Sequence, residues 1–88
     1  MSIKNEIKIF KALADDTRLK IVEFLKEGEK CVCEIIPMTK KSQPAVSQHL
    51  KILSEADILE FRKEGTSIYY KIKDKRIIGI IQRLKEIK

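Results

Sequence analysis

The chain has no tryptophan, a single histidine (His49), three glycines, two prolines and two cysteines. No run of apolar residues approaches the ~18 needed to cross a bilayer as a helix. The opening residues Met1-Ser2-Ile3-Lys4-Asn5-Glu6 lack the apolar stretch of a secretion signal. A soluble, cytoplasmic protein with no membrane partner is therefore expected. One histidine, no glycine-rich phosphate loop, no Ser/His/Asp set and no recognisable carboxylate pair speak against an enzyme. Cys31 and Cys33 stand too close for an ordinary staple, which excludes a secreted disulfide scaffold.

What is present suits one domain spanning 1–88. Of the 88 residues, 43% are hydrophobic and 36% charged, enough for a small core and too apolar for a disordered tail. A core this small favours a dimer that buries extra apolar surface. The net charge of +6 is unevenly spread. Residues 1–35 carry seven basic and seven acidic side chains, whereas residues 36–76 carry nine basic and five acidic. An excess confined to the later part of the chain points to a polyanion-binding face. A merely lysine-rich, soluble surface has the same composition.

Apolar spacing organises the chain. Ile3, Ile7, Phe10 and Ala14 recur on one side of a first helix, with Ile9 and Leu13 as a second stripe. Asp15 can cap a second helix over 16–27, carried by Leu19, Ile21, Val22, Phe24 and Leu25 and stopped by Gly28. A short helix is expected over 32–38, with Pro37 able to truncate it and a brief strand at 30–32 able to precede it. Ser42 caps a fourth helix over 42–55, whose Val46, Leu50 and Leu53 form an i, i+4, i+7 seam. Two alternating segments within 58–72, joined by Glu64-Gly65-Thr66, read as a β-hairpin. Asp74 can cap a last helix with Ile77, Ile80, Ile81, Leu84 and Ile87 in one stripe. That stripe and the doubly apolar first helix make a natural homodimer surface. The fold expected is mainly α within an α+β class, in the order α-α-α-α-β-β-α: a winged helix-turn-helix.

The fourth helix has an apolar back and a front that can meet base edges in a major groove. Gln48 offers a two-headed amide for base readout. Ser47 and Gln43 can bond to a base or a phosphate, and Ser42 does the same or serves only as the cap. Lys40, Lys41 and Lys51 suit phosphates, and Arg62 and Lys63 at the wing suit a flanking minor groove or backbone. His49 lies at the flank of the seam, where a half-buried packing role fits better than base contact. The partner expected is double-stranded DNA. A low-specificity architectural DNA binder and a protein-interaction module are the competing readings from other classes.

The stretch Phe10-Lys11-Ala12-Leu13-Ala14-Asp15-Asp16-Thr17-Arg18-Leu19-Lys20-Ile21-Val22 resembles the opening of the ArsR/SmtB family of small repressors. Cys31-Val32-Cys33-Glu34-Ile35 resembles its metal-box segment, the run from Ser42 to Leu53 its recognition helix, and Arg62-Lys63-Glu64-Gly65 with Ile68-Tyr69-Tyr70-Lys71-Ile72 its wing. The resemblance covers nearly the whole chain in the right order. It implies a homodimeric repressor of an inverted-repeat operator, released in some members by a metal or metalloid.

No cofactor is required on this reading, but a thiophilic metal or metalloid effector at Cys31 and Cys33 is possible, since thiolates are soft ligands. The family's arsenic-responsive members often have a third cysteine where Ile36 stands here, and its last-helix site needs histidines that this chain lacks. Residues i and i+2 of an ideal helix project about 200° apart, so the sulfurs converge only if Cys31 precedes the helix. A metal-independent repressor with core-packing cysteines, or a redox-responsive one favoured by Lys30, uses the same fold.

Overall fold

The computed structural model describes residues 3–87. Helix α1 (Lys4–Leu13) and helix α2 (Asp16–Leu25) come first, then a two-residue strand β1 (Lys30–Cys31). Helix α3 (Val32–Thr39) and helix α4 (Gln43–Glu55) form a helix-turn-helix. Strands β2 (Leu59–Glu64) and β3 (Ser67–Ile72) form the wing, and helix α5 (Arg76–Lys85) closes the described chain. The expected order holds, and the brief strand offered at 30–32 is present as β1, an edge strand in a sheet ordered β1-β3-β2, antiparallel throughout.

Local chemistry accounts for the boundaries. The Asp15 carboxylate accepts from the amide of Arg18 at 3.0 Å and caps α2. That helix ends at Leu25, two residues before the expected limit. Pro37 does not truncate α3, which runs two residues beyond it and ends at Lys40 with φ 60°. Gly65 takes φ +62° at the hairpin tip, a conformation free of strain only for glycine.

The core gathers one side of each helix around the wing's base. Ile21, Ile35, Val46, Leu53 and Ile58 are fully buried, with Leu25, Leu50 and Leu59 nearly so. Each such side chain contributes about 1.5–3 kcal/mol by leaving water. The stripes of α1 and α5 divide differently. Ala12 and Leu13 turn inward, whereas Ile3, Ile7 and Phe10 stay exposed. Ile77 and Ile81 turn inward, whereas Ile80, Leu84 and Ile87 stay exposed. Between the two helices lies an apolar groove of about 310 Å³, lined by residues including Phe10, Leu13, Ile80 and Leu84.

Candidate nucleic-acid interface and thiol pair

Helix α4 is held from behind and open in front. Val46, Leu50 and Leu53 are at most 2% exposed, while Gln43, Ser47, Gln48 and Lys51 all face solvent. Ser42 Oγ accepts from the amide of Ala45 at 3.3 Å, so this serine is the helix cap. The turn before it is pinned by Thr39, whose hydroxyl donates to Ile36 O at 2.9 Å and accepts from Lys41 N at 3.1 Å. Lys40 and Lys41 are thereby displayed at the entrance to α4, both exposed. Among the described residues, Lys40, Lys41, Lys51 and Lys63 make no ion pair. Their charges are free for an external anion.

One flank of α4 is braced by Arg18. Its Nε donates to Ala12 O at 2.6 Å, and Nη1 lies 3.2 Å from His49 Nδ1. Arginine only donates, so Nδ1 is the acceptor. Asp15 Oδ2 stands 3.9 Å from the same nitrogen. His49 is half-buried, in the packing role expected of it, and ties α4 to the end of α1 and the start of α2. The Arg18 amide, with the charge of Arg18 added, holds the Asp15 carboxyl below its ordinary value of 3.8 against the opposing effect of burial.

On the wing, Lys63 is exposed, but Arg62 is engaged within the molecule. Arg62 Nε and Nη2 donate to the two carboxylate oxygens of Glu29 at 2.9 and 2.8 Å. Its Nη1 donates to Glu64 at 2.9 Å, and its Cζ sits 4.6 Å from the ring centre of Tyr69. The same guanidinium holds the Glu29 carboxyl below its ordinary value of 4.5. Arg62 therefore reaches the wing's surface already paired.

The thiol pair converges because Cys31 lies in extended backbone before α3 (φ −69°, ψ 145°). The Cα atoms are 5.0 Å apart and the sulfurs meet as a disulfide. Cys31 also caps α3: its Sγ accepts from Cys33 N at 3.0 Å, while Glu34 accepts from Cys31 N at 3.0 Å. Cys31 is 6% exposed and Cys33 faces solvent, so core packing describes the first and not the second. No third protein ligand joins them, since the described residues contain no cluster of three or more His, Cys, Asp or Glu that could hold an ion. Asp74 on the approach to α5 is engaged by Arg76, which lowers its pKa to about 2.

The sequence alone assigns no role to Arg18, Glu29 or Tyr69. A cation in the first turn of α2 opposes the helix dipole, and that local mismatch is the signal Arg18 carries. Glu29 carries none, because its partner is 33 residues away.

Residues 15–60 match the family described as bacterial regulatory protein, arsR family. The chain is 49% identical over 81 residues to an uncharacterised HTH-type transcriptional regulator of Methanocaldococcus jannaschii, covering 91% of both chains. It is 45% identical to the arsenical resistance operon repressor of Escherichia coli, covering 82% of this chain and 62% of that one. A homodimeric winged helix-turn-helix DNA-binding domain from Mycobacterium bovis, a possible ArsR-family regulator, superposes with TM-score 0.87 at 30% identity, covering 96% and 81% of the two chains. The transcriptional repressor BigR from Xylella fastidiosa superposes with TM-score 0.85 at 31% identity, covering 97% and 88%. No helix among the described residues is long and apolar enough to cross a membrane. In sequence and in fold alike, this chain belongs to the ArsR family of winged helix-turn-helix transcriptional regulators, a family of DNA-binding proteins rather than enzymes.

Proposed function

We propose that the protein is a homodimeric repressor, acting in the cytoplasm, that reads an inverted-repeat operator through two copies of α4. The observation that carries this reading is the exposed front of α4, with Gln43, Ser47 and Gln48 flanked by the unpaired Lys40, Lys41 and Lys51. Amides and hydroxyls match base edges and phosphates, and lysines neutralise the backbone and set register. Lys63 extends the contact from the wing. Ser42 contributes through its cap. The dimer forms where α1 and α5 leave Ile7, Phe10, Ile80 and Leu84 exposed beside an apolar groove. Its two-fold axis is what an inverted repeat mirrors.

The effector site in this reading is the Cys31–Cys33 pair. Two converging sulfurs with no third protein ligand among the described residues suit a thiophilic metalloid completed by an external thiol, not a four-ligand structural zinc. The curated relatives include arsenical and cadmium resistance regulators, which fits that class. A second reading, release by oxidation, is supported by the sulfurs meeting as a disulfide.

The test is selection of genomic DNA fragments by the purified reduced protein, repeated with arsenite, soft metal ions and a thiol oxidant. Enrichment of an inverted repeat is expected, with loss of it in one of these arms. Joint replacement Cys31→Ser and Cys33→Ser should abolish the loss. A response that survives the double variant sinks the thiol site. Absence of any enriched repeat sinks operator recognition.

A further inference from the structure

The antiparallel register aligns three residues in one row across the sheet. Cys31 of β1 lies opposite Tyr69 of β3, and Tyr69 lies opposite Arg62 of β2. Directly opposed residues project from the same face, so the three side chains share one side of the sheet. With strands about 4.8 Å apart, the row from Cys31 to Arg62 is only about 10 Å long. Arg62 then turns back along the row. It stacks on Tyr69 and grips Glu29, two residues before Cys31, with both oxygens of that carboxylate engaged. The result is a closed ring: peptide bonds from Glu29 to Cys31, ladder from Cys31 to Tyr69, stacking from Tyr69 to Arg62, and ion pair back to Glu29.

The ring matters because β1 is so short. Two residues make little ladder of their own, and β1 is an edge strand. The bidentate grip fixes it to the wing in a geometry that a single-point contact lacks. On its other side, Cys31 is the cap of α3, so whatever engages its sulfur acts on the place where the helix-turn-helix and the sheet join.

We infer that the Glu29–Arg62 pair, stacked on Tyr69, is the strap that carries the state of the Cys31–Cys33 pair to the wing, and that Arg62 is a positioning residue rather than a phosphate ligand. This rests on the reading of the thiol pair as the effector site. The charge arrangement supports it. Drawing Arg62 onto a phosphate would leave Glu29 and Glu64 uncompensated beside the DNA. Lys63, the neighbouring residue, is free of that conflict.

The experiment uses the full-length dimer, reduced with a phosphine and then treated with phenylarsine oxide. The two thiols give their protons to the arsenic-bound oxygen, two As–S bonds form, and one water leaves; arsenic stays trivalent. Amide NMR shifts of Gly65 and Thr66 report the wing, and operator affinity is measured in parallel. Glu29→Gln opens the strap while leaving Arg62 its charge. In the wild type, bridging should shift both wing amides and weaken operator binding. In E29Q the wing shifts should shrink several-fold, and the reduced-to-bridged affinity ratio should fall by at least about five-fold, the low end of ordinary coupling. Affinity of the reduced E29Q protein should stay within about three-fold of wild type, well short of the loss of a phosphate-binding cation.

Equal wing shifts in wild type and E29Q overturn the strap, as does the absence of any wing shift in the wild type. Wing shifts that E29Q suppresses, without change in operator binding, uphold the strap and refute the effector reading instead. Arg62→Lys separates the two roles of the arginine. It keeps the charge but loses the bidentate grip, so it should mimic E29Q. An R62K protein with intact wing shifts overturns the positioning role of Arg62.

Discussion

At the scale of single residues, Gln48 and Asp15 carry separable jobs. Gln48 stands exposed on a helix whose back is rigidly packed, so shortening it removes hydrogen bonds and little else. Gln48→Ala should cost about 1–3 kcal/mol on operator DNA and leave random-sequence affinity nearly unchanged, as read by competition binding. Equal losses on both would remove it from base readout. Asp15 acts on stability. Its carboxyl is acidic beyond the ordinary 3.8, chiefly because the Arg18 amide donates to it. A folded value below the unfolded one means that its contribution is complete above the unfolded value and drains away as pH falls through the folded one. Asp15→Asn keeps a cap acceptor without the charge. Urea unfolding from about pH 5 down to about pH 2 should therefore slope less steeply in D15N than in wild type. Asp15→Ala, which loses the cap as well, should cost about 1 kcal/mol near neutrality.

At the scale of elements, what the sequence made legible was what is local. Asp15 and Ser42 announce their helices because a cap bonds within three residues of itself. The hairpin was legible from alternation and from Gly65, and the back of α4 from the spacing of Val46, Leu50 and Leu53. Strand β1 was scarcely legible, since two residues have no period to detect and its existence depends on Tyr69 and Tyr70 arriving beside it. The candidate site divides in the same way. Exposure of Ser47, Gln48 and Lys51 follows from one helical wheel. The engagement of Arg62 depends on Glu29, and no local pattern joins them. The exposed half of α5 gives an element-scale prediction. Leu84→Asp puts a charge on the outward apolar face without touching the buried Ile77 and Ile81. Sedimentation should show the dimer weakened and operator affinity reduced with it, while helical circular dichroism at high protein concentration changes little.

For the molecule as a whole, charge and symmetry decide how DNA is met. The protomer extends 38 × 30 × 22 Å, large enough for a two-fold pair to present its α4 helices about 34 Å apart, one turn of duplex. In the proposed dimer, four lysines per protomer without acidic partners would give about eight phosphate contacts, and so a slope of log affinity against log salt near −7. Titration with operator and random duplex at several salt concentrations checks this. A slope shallower than about −3 would mean that most of these lysines stay in solvent. Replacing both Lys40 and Lys41 by Ala should remove about four contacts per dimer and lower the slope on either DNA to a similar degree.

The last helix rests on its own domain through the inward side chains Ile77 and Ile81, helped by Lys85, whose ammonium meets Glu23 at 2.7 Å. Apolar grooves of about 610 and 310 Å³ lie on either side of it. In the proposed dimer a second protomer would cover the outward face of this helix, and mass action would tie that pairing to abundance. At low supply the population of paired protomers grows as the square of protomer concentration. On the proposed function, repression would then behave as a threshold: a cell holding half as much of the protein would keep closer to a quarter of the operator-competent form, before any inducer is present.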